Sequence, residues 1–142
     1  MTALLDTDIL SEIFRGKNAT VMARAAAYVH INDRYRISSI TEVEISRGWH
    51  QSSHPERWVA FRTWMTTRCE SVALDSETAW LAGEIAGVLG RARNEVGFAD
   101  VCIAATAVRH GLVLVTGNTK HHMRVKDAGF ALELDNWREP AQ

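Results

Sequence analysis

Proline and cysteine are both scarce, with 2 of each among 142 residues. So little proline excludes long, stiff linkers. Two distant thiols, Cys69 and Cys102, make neither a disulfide framework nor a zinc cluster. Cys102 stands in an apolar helical run and reads as buried packing. A surplus of one charge is also missing. Lys plus Arg number 16 and Asp plus Glu 17, for a net charge of −1. A general coater of polyanions would be basic, so any attraction to one must come from a local patch or from bound metal. No apolar run approaches the ~20 residues of a membrane span. The start, MTALLDTDIL, carries an acid at position 6 and no basic stretch, so no signal peptide and a cytoplasmic location are expected.

What is present is globular. Hydrophobic residues make up 46% and charged residues 23%, which excludes a disordered chain. The length is that of one ordinary domain, expected over 1–142 with a short polar tail from about 135 to 142.

Short apolar runs alternate with helical stretches. Ala3–Leu5 reads as a strand that stops at Asp6, and Thr7–Phe14 as a helix that Thr7 or Asp8 can cap. A second helix is expected from Asn18 to about Ile31, and a strand from Tyr35 to Ile40. Thr41 can cap a helix to about Trp49, and His54-Pro55 opens another that carries Trp58, Phe61, Trp64 and Met65. Ser71–Leu74 reads as strand, Ser76 to about Arg93 as helix, and Ala99–His110 as a nearly all-apolar helix stopped by Gly111. Leu112–Val115 and Phe130–Leu134 complete the strands. Strands separated by helices predict an α/β fold: a three-layer α/β/α sandwich around a mainly parallel sheet. Ligands of such sheets gather at the carboxyl ends of the strands.

Polar residues cluster at those ends. Asp6 ends the first strand, Glu42 follows the second in the first turn of a helix, and Asn118 follows LVLV. Asp100 opens the apolar helix. Each has an ordinary reading: Asp6 and Asp100 as caps or first-turn acids, Glu42 as a solvated first-turn acid, Asn118 as a turn residue. Together they suit a hard divalent cation, Mg²⁺ or Mn²⁺, which takes oxygen ligands. Carboxylates crowded without a cation repel one another. An ion held there would acidify a water and neutralise a leaving phosphate oxygen.

The blocks Leu4-Leu5-Asp6-Thr7-Asp8-Ile9-Leu10, Ser38-Ser39-Ile40-Thr41-Glu42, Ala99-Asp100-Val101-Cys102-Ile103-Ala104-Ala105-Thr106-Ala107 and Leu114-Val115-Thr116-Gly117-Asn118 resemble the four conserved blocks of PIN domains, most closely those of VapC-type and FitB-type toxins. They occur in family order and span nearly the whole chain. The resemblance implies an Mg²⁺- or Mn²⁺-dependent endoribonuclease, a cognate antitoxin whose tail covers the site, and a homodimer. It implies Asp6, Glu42 and Asp100 as the metal site, Asn118 at a fourth position that is acidic in some members, and Thr116 in support. Asp8 departs from a common Asn, and Met123 stands where an aromatic is frequent. A fourth position without a carboxylate suggests one ion in the free protein and a second recruited with RNA.

Beyond Asn118 lies a small basic cluster, Lys120-His121-His122-Met123-Arg124. Lys120, His121 and Arg124 are candidate RNA contacts, or simply a solvated turn. The histidine pair lacks a second ligand pair at zinc spacing. Arg15, Lys17, Arg91 and Arg93 read as solubility charges or as the lining of an RNA groove, and the tryptophans of the 54–68 helix as core or dimer surface ahead of base stacking. Two other functions are weighed. Asp6-Thr7-Asp8 resembles the nucleophile motif of haloacid-dehalogenase-type phosphatases, but Asp100 has no acidic partner beside it and Lys120 is awkwardly placed. A PIN-like scaffold without turnover would have no use for three clustered carboxylates.

Overall fold

Leu4 and Leu5 are adjacent, fully buried, and members of different cores. Successive strand side chains point to opposite faces of a sheet, so this pair shows that both faces are covered. The computed structural model describes residues 2–142. Its strands are β1 (Ala3–Leu5), β2 (Tyr35–Ser38), β3 (Cys69–Val72), β4 (Val113–Val115) and β5 (Glu133–Asp135). They pair in the order β3-β2-β1-β4-β5, all parallel.

Seven helices are described: α1 (Thr7–Arg15), α2 (Ala19–Asn32), α3 (Ser39–Gln51), α4 (Trp58–Arg68), α5 (Ser76–Arg91), α6 (Phe98–His110) and α7 (Thr119–Asp127). Leu5 and Val115 face one core with Ile9, Leu10 and Ile13 of α1, Val21 of α2, Ile45 of α3 and Phe61 of α4. Leu4 and Leu114 face the other with Ile85 and Leu89 of α5, residues 101–105 and 107 of α6, and Val125 of α7. The expected three layers are therefore present. Cys102 is buried in the second core, and Trp58 and Trp64 pack half-buried against the first. Gly111 ends α6 in the left-handed conformation, at φ 62°, which glycine adopts without strain. Among the described residues no helix is long and apolar enough to cross a membrane.

The structure moves several boundaries. Asp6, not Thr7 or Asp8, caps α1, its carboxylate accepting from Thr7 N. Ser38, not Thr41, caps α3, its Oγ accepting from Ile40 N, and Thr41 lies buried inside the helix. Strand β3 starts at Cys69 instead of Ser71, because its register with β2 runs from Tyr35↔Cys69 to Ser38↔Val72. Strand β5 covers Glu133–Asp135 instead of Phe130–Leu134, paired to β4 from Val113↔Glu133 to Val115↔Asp135. His54-Pro55 opens a single 3₁₀ turn, Pro55–Arg57, before α4 begins. The basic cluster is a helix, α7, which two inward residues (His122 and Val125) were too few to signal by periodicity. The tail expected to be polar is docked. Trp137 is 4% exposed with its ring 5.4 Å from that of Tyr28, and Arg24 pairs with Asp135 at 2.6 Å.

Ile103, fully buried in α6, and Ile31, 82% exposed on α2, test this layering. Ile103→Ala is expected to lower unfolding free energy by about 2–5 kcal/mol, and Ile31→Ala to change it by less than ~0.5 kcal/mol. Urea denaturation followed by circular dichroism measures both.

Candidate metal centre

Strand β1 has β2 on one side and β4 on the other, so the strand order reverses direction there. Open parallel sheets bind ligands in the crevice at such a point, beyond the carboxyl ends. Asp6 stands at this edge, its backbone N donating to Val115 O at 2.8 Å. Its side chain is nearly enclosed. Oδ1 accepts from Thr7 N at 2.8 Å, and Oδ2 accepts from Thr116 Oγ1 at 2.8 Å and faces His122 Nε2 at 3.2 Å. Burial is the largest single influence and pushes this carboxyl up. Hydrogen bonds from His122, Thr116 and Thr7, with the charge of His122, outweigh it and hold Asp6 below its ordinary value.

Two more acids converge on Asp6. Asp100, in the first turn of α6, is half-buried, with Oδ2 3.2 Å from His121 Nε2. One ligand atom each of Asp6, Asp100 and His122 lie within 4.8 Å of one another. Glu44 reaches the same place from α3, its Oε1 accepting from Thr7 Oγ1 at 2.6 Å. Burial above all, and then the charges of Asp6 and Asp100 against a lowering bond from Thr7, raise the Glu44 carboxyl. The third acid near Asp6 and Asp100 is therefore Glu44.

Glu42 does not join them. Two positions along a helix turn the side chain by about 200°, so positions 42 and 44 face opposite ways. Glu42 lines a groove between α3 and α4 with Ser46, His50, Trp58 and Arg62. Its charge falls on Cys69, whose thiol is pushed up to about 12, chiefly by burial. The signal for Glu44 was available once the helix face was known. Buried Thr41 and Ile45 mark the inward stripe, and Glu44 lies three residues after Thr41.

The other candidates divide. Thr116 is fully buried and belongs to the site: its Oγ1 donates to Asp6 and accepts from Asn118 N at 3.0 Å. Asp8 stands one layer out, with Oδ2 accepting from Gly117 N at 2.9 Å and 3.5 Å from Arg138 Nη2. Burial and the charge of Asp6 raise its pKa. Asn118 occupies the position before α7 but makes no side-chain cap, and it is exposed. Lys120 is exposed, Arg124 donates to Glu95 O at 2.8 Å, and His121 faces Asp100. Met123 is 38% exposed, and His122 takes the buried position beside it. Two concavities lie elsewhere, including an apolar one of about 930 Å³ between α2 and β5.

One family model, described as PIN domain, matches residues 3–127. The chain belongs to the PIN-domain family. It is 33% identical over 135 residues to a tRNA(fMet)-specific endonuclease VapC of Shigella flexneri, covering 94% of this chain and 96% of that protein. It is 28% identical over 134 residues to Ribonuclease VapC2 of Haemophilus influenzae, with the same two coverages. Among solved structures, DNA-bound VapBC from Salmonella typhimurium contains a chain that matches with TM-score 0.82 at 30% identity, covering 96% of this chain and 98% of that one. FitAcB from Neisseria gonorrhoeae matches with TM-score 0.76 at 23% identity, covering 96% and 98%, and shares the fold.

In this PIN domain the carboxylates of Asp6, Asp100 and Glu44, with an imidazole nitrogen beside them, form a donor set suited to a divalent cation. The charges of Asp6 and Asp100, which add to burial in raising Glu44, agree with that fit.

Because the folded Glu44 carboxyl titrates above its ordinary value of 4.5, the native chain binds more protons than the unfolded chain across that interval. Its ionisation therefore costs stability as pH rises through the interval, and the cost persists at pH 7. Glu44→Gln is expected to raise Tm of the metal-free protein at pH 7, with a smaller gain at pH 4. Glu42→Gln is expected to leave Tm within about 1 °C at both pH values, as for surface substitutions. Calorimetric scans in chelator check both.

Proposed function

We propose that this PIN-domain chain is a metal-dependent endoribonuclease, the toxin half of a toxin–antitoxin pair, which hydrolyses RNA phosphodiester bonds. The observation that carries the reading is the convergence of Asp6, Asp100 and Glu44 on the carboxyl edge of the sheet at its point of reversal. Relatives named endonuclease and ribonuclease, similar over nearly the whole chain, support it. Neighbouring structures titled VapBC and FitAB support an antitoxin as partner. Large apolar side chains left exposed, Trp80 and Phe98 among them, support the homodimer.

Asp6 and Asp100 would hold Mg²⁺ or Mn²⁺, one ion in the free protein. Bound there, the ion supplies an acidified water for attack and a counter-charge for phosphate oxygens. Asp6 presents its oxygens in one orientation because Thr7 N and Thr116 Oγ1 fix them. Glu44 is held through Oε1 by Thr7. That leaves Oε2 to take the proton of the attacking water. Lys120 stands exposed nearby to meet the RNA backbone. A phosphoaspartate at Asp6 fits worse, since that side chain is 6% exposed and both oxygens already accept hydrogen bonds.

Purified protein free of antitoxin is to be incubated with total RNA, including tRNA, and Mg²⁺ or Mn²⁺, with new ends mapped by sequencing. Discrete ends are expected that vanish with chelator. Asp100→Asn is expected to lose more than ~100-fold in rate, beyond the 10–100-fold typical of losing an outer-shell partner. No cleavage by folded, antitoxin-free protein under either metal would favour a scaffold without turnover.

A further inference from the structure

His122 is as buried as the aliphatic core, at 1% exposure. Its Nε2 lies 3.2 Å from Asp6 Oδ2, and its Nδ1 meets no hydrogen-bond partner among the described residues. Leaving a buried polar atom unsatisfied is costly, and an apolar side chain at this inward position of α7 would avoid the cost. The use of an imidazole here must therefore lie at Nε2. That atom faces Asp6, and a ring nitrogen of His122 lies within 4.8 Å of an oxygen of Asp6 and one of Asp100. Two donors bound at about 2.1 Å on adjacent corners of an octahedron stand about 3 Å apart, close to the 3.2 Å from Nε2 to Asp6 Oδ2. Either tautomer leaves Nδ1 unsatisfied within the chain. The choice between them is thus made at Nε2, which offers a proton to Asp6 or a lone pair to an ion. His121 differs, for its ring is 26% exposed and faces Asp100 alone among the three.

We propose that His122 Nε2 is a ligand of the ion held by Asp6 and Asp100, a two-carboxylate, one-imidazole set that selects first-row transition ions over Mg²⁺. The proposal rests on the metal-dependent reading above and goes beyond it in naming the donor and the preference. Mg²⁺ is hard, dehydrates reluctantly and takes oxygen. Imidazole suits Fe²⁺, Co²⁺, Ni²⁺ and Zn²⁺, and affinity for a mixed N,O site rises from Mn²⁺ to Co²⁺ and beyond. Carboxylates alone would not separate these ions so strongly. The histidine pair, without partner ligands in the sequence, receives them from β1 and α6 through the fold.

The test uses the full chain and two probes. Pulsed electron paramagnetic resonance of bound Mn²⁺ is expected to show coupling to a nitrogen nucleus, which changes isotope pattern when histidine alone is ¹⁵N-labelled. The labelled wild type requires no variant to fold. The coupling is expected to vanish in His122→Asn and to persist in His121→Asn. Calorimetry is expected to give Co²⁺ binding at least ~100-fold tighter than Mg²⁺ in the wild type. In His122→Asn the Co²⁺ advantage should fall about tenfold or more, while Mg²⁺ affinity stays within about threefold. Tight Mn²⁺ binding without histidine coupling would overturn the proposal and leave the metal-dependent reading standing. Coupling lost only in His121→Asn would overturn the assignment to His122. No binding of any of the three ions would overturn both readings together.

Discussion

A carboxylate 6% exposed at the middle of a parallel sheet has lost most of its water and must find donors within the chain. Asp6 takes one from the first turn of its own helix, one from Thr116 just past the neighbouring strand, and faces His122 on the helix that follows. The last two lie 110 and 116 residues away in sequence. This one anion therefore ties the register of β1 against β4 to the seating of α7, because a shift in either would strand a buried charge.

The satisfied Asp6 then becomes a source of repulsion for its neighbours. Glu44 and Asp8 both titrate high, first because they are buried and then because Asp6 is charged beside them. Each has a local restraint: Thr7 Oγ1 holds Glu44, and Gly117 N with Arg138 steadies Asp8. Arg138 also pairs with Glu12 at 2.9 Å, so the C-terminal segment, docked through Trp137, closes the outer layer of the site. A site that stores like-charge repulsion in a rigid frame is unstable for its own sake and suited to receiving a cation.

Much of this was legible along the chain, and the failures have a common cause. Strand ends at Asp6 and before Thr116 were read correctly because apolar runs stop there abruptly. Asp100 was found because a nearly all-apolar helix opens with it. Glu42 is the sequence's candidate and Glu44 is not, because the phase of a helix is not legible from where it starts. Only the buried pair Thr41 and Ile45 shows which side faces Asp6. His122 has no second ligand pair near it in sequence, and α7 carries too few apolar residues to reveal that this histidine faces inward. Strands β3 and β5 were misplaced by two or three residues because pairing with β2 and β4, not local composition, decides where a short strand begins.

By itself the sequence determined the class of fold, the carboxyl edge of the sheet, and the carboxylates of Asp6 and Asp100 that stand together there. Those follow from periodicity and from where apolar runs end, which are local properties. The tertiary structure alone decided the phase of α3, and with it Glu44 in place of Glu42. It also turned His122 inward onto Asp6 and docked the tail through Trp137. Those are choices of which face of an element meets which neighbour, and they are settled by packing between residues from 37 to 116 positions apart.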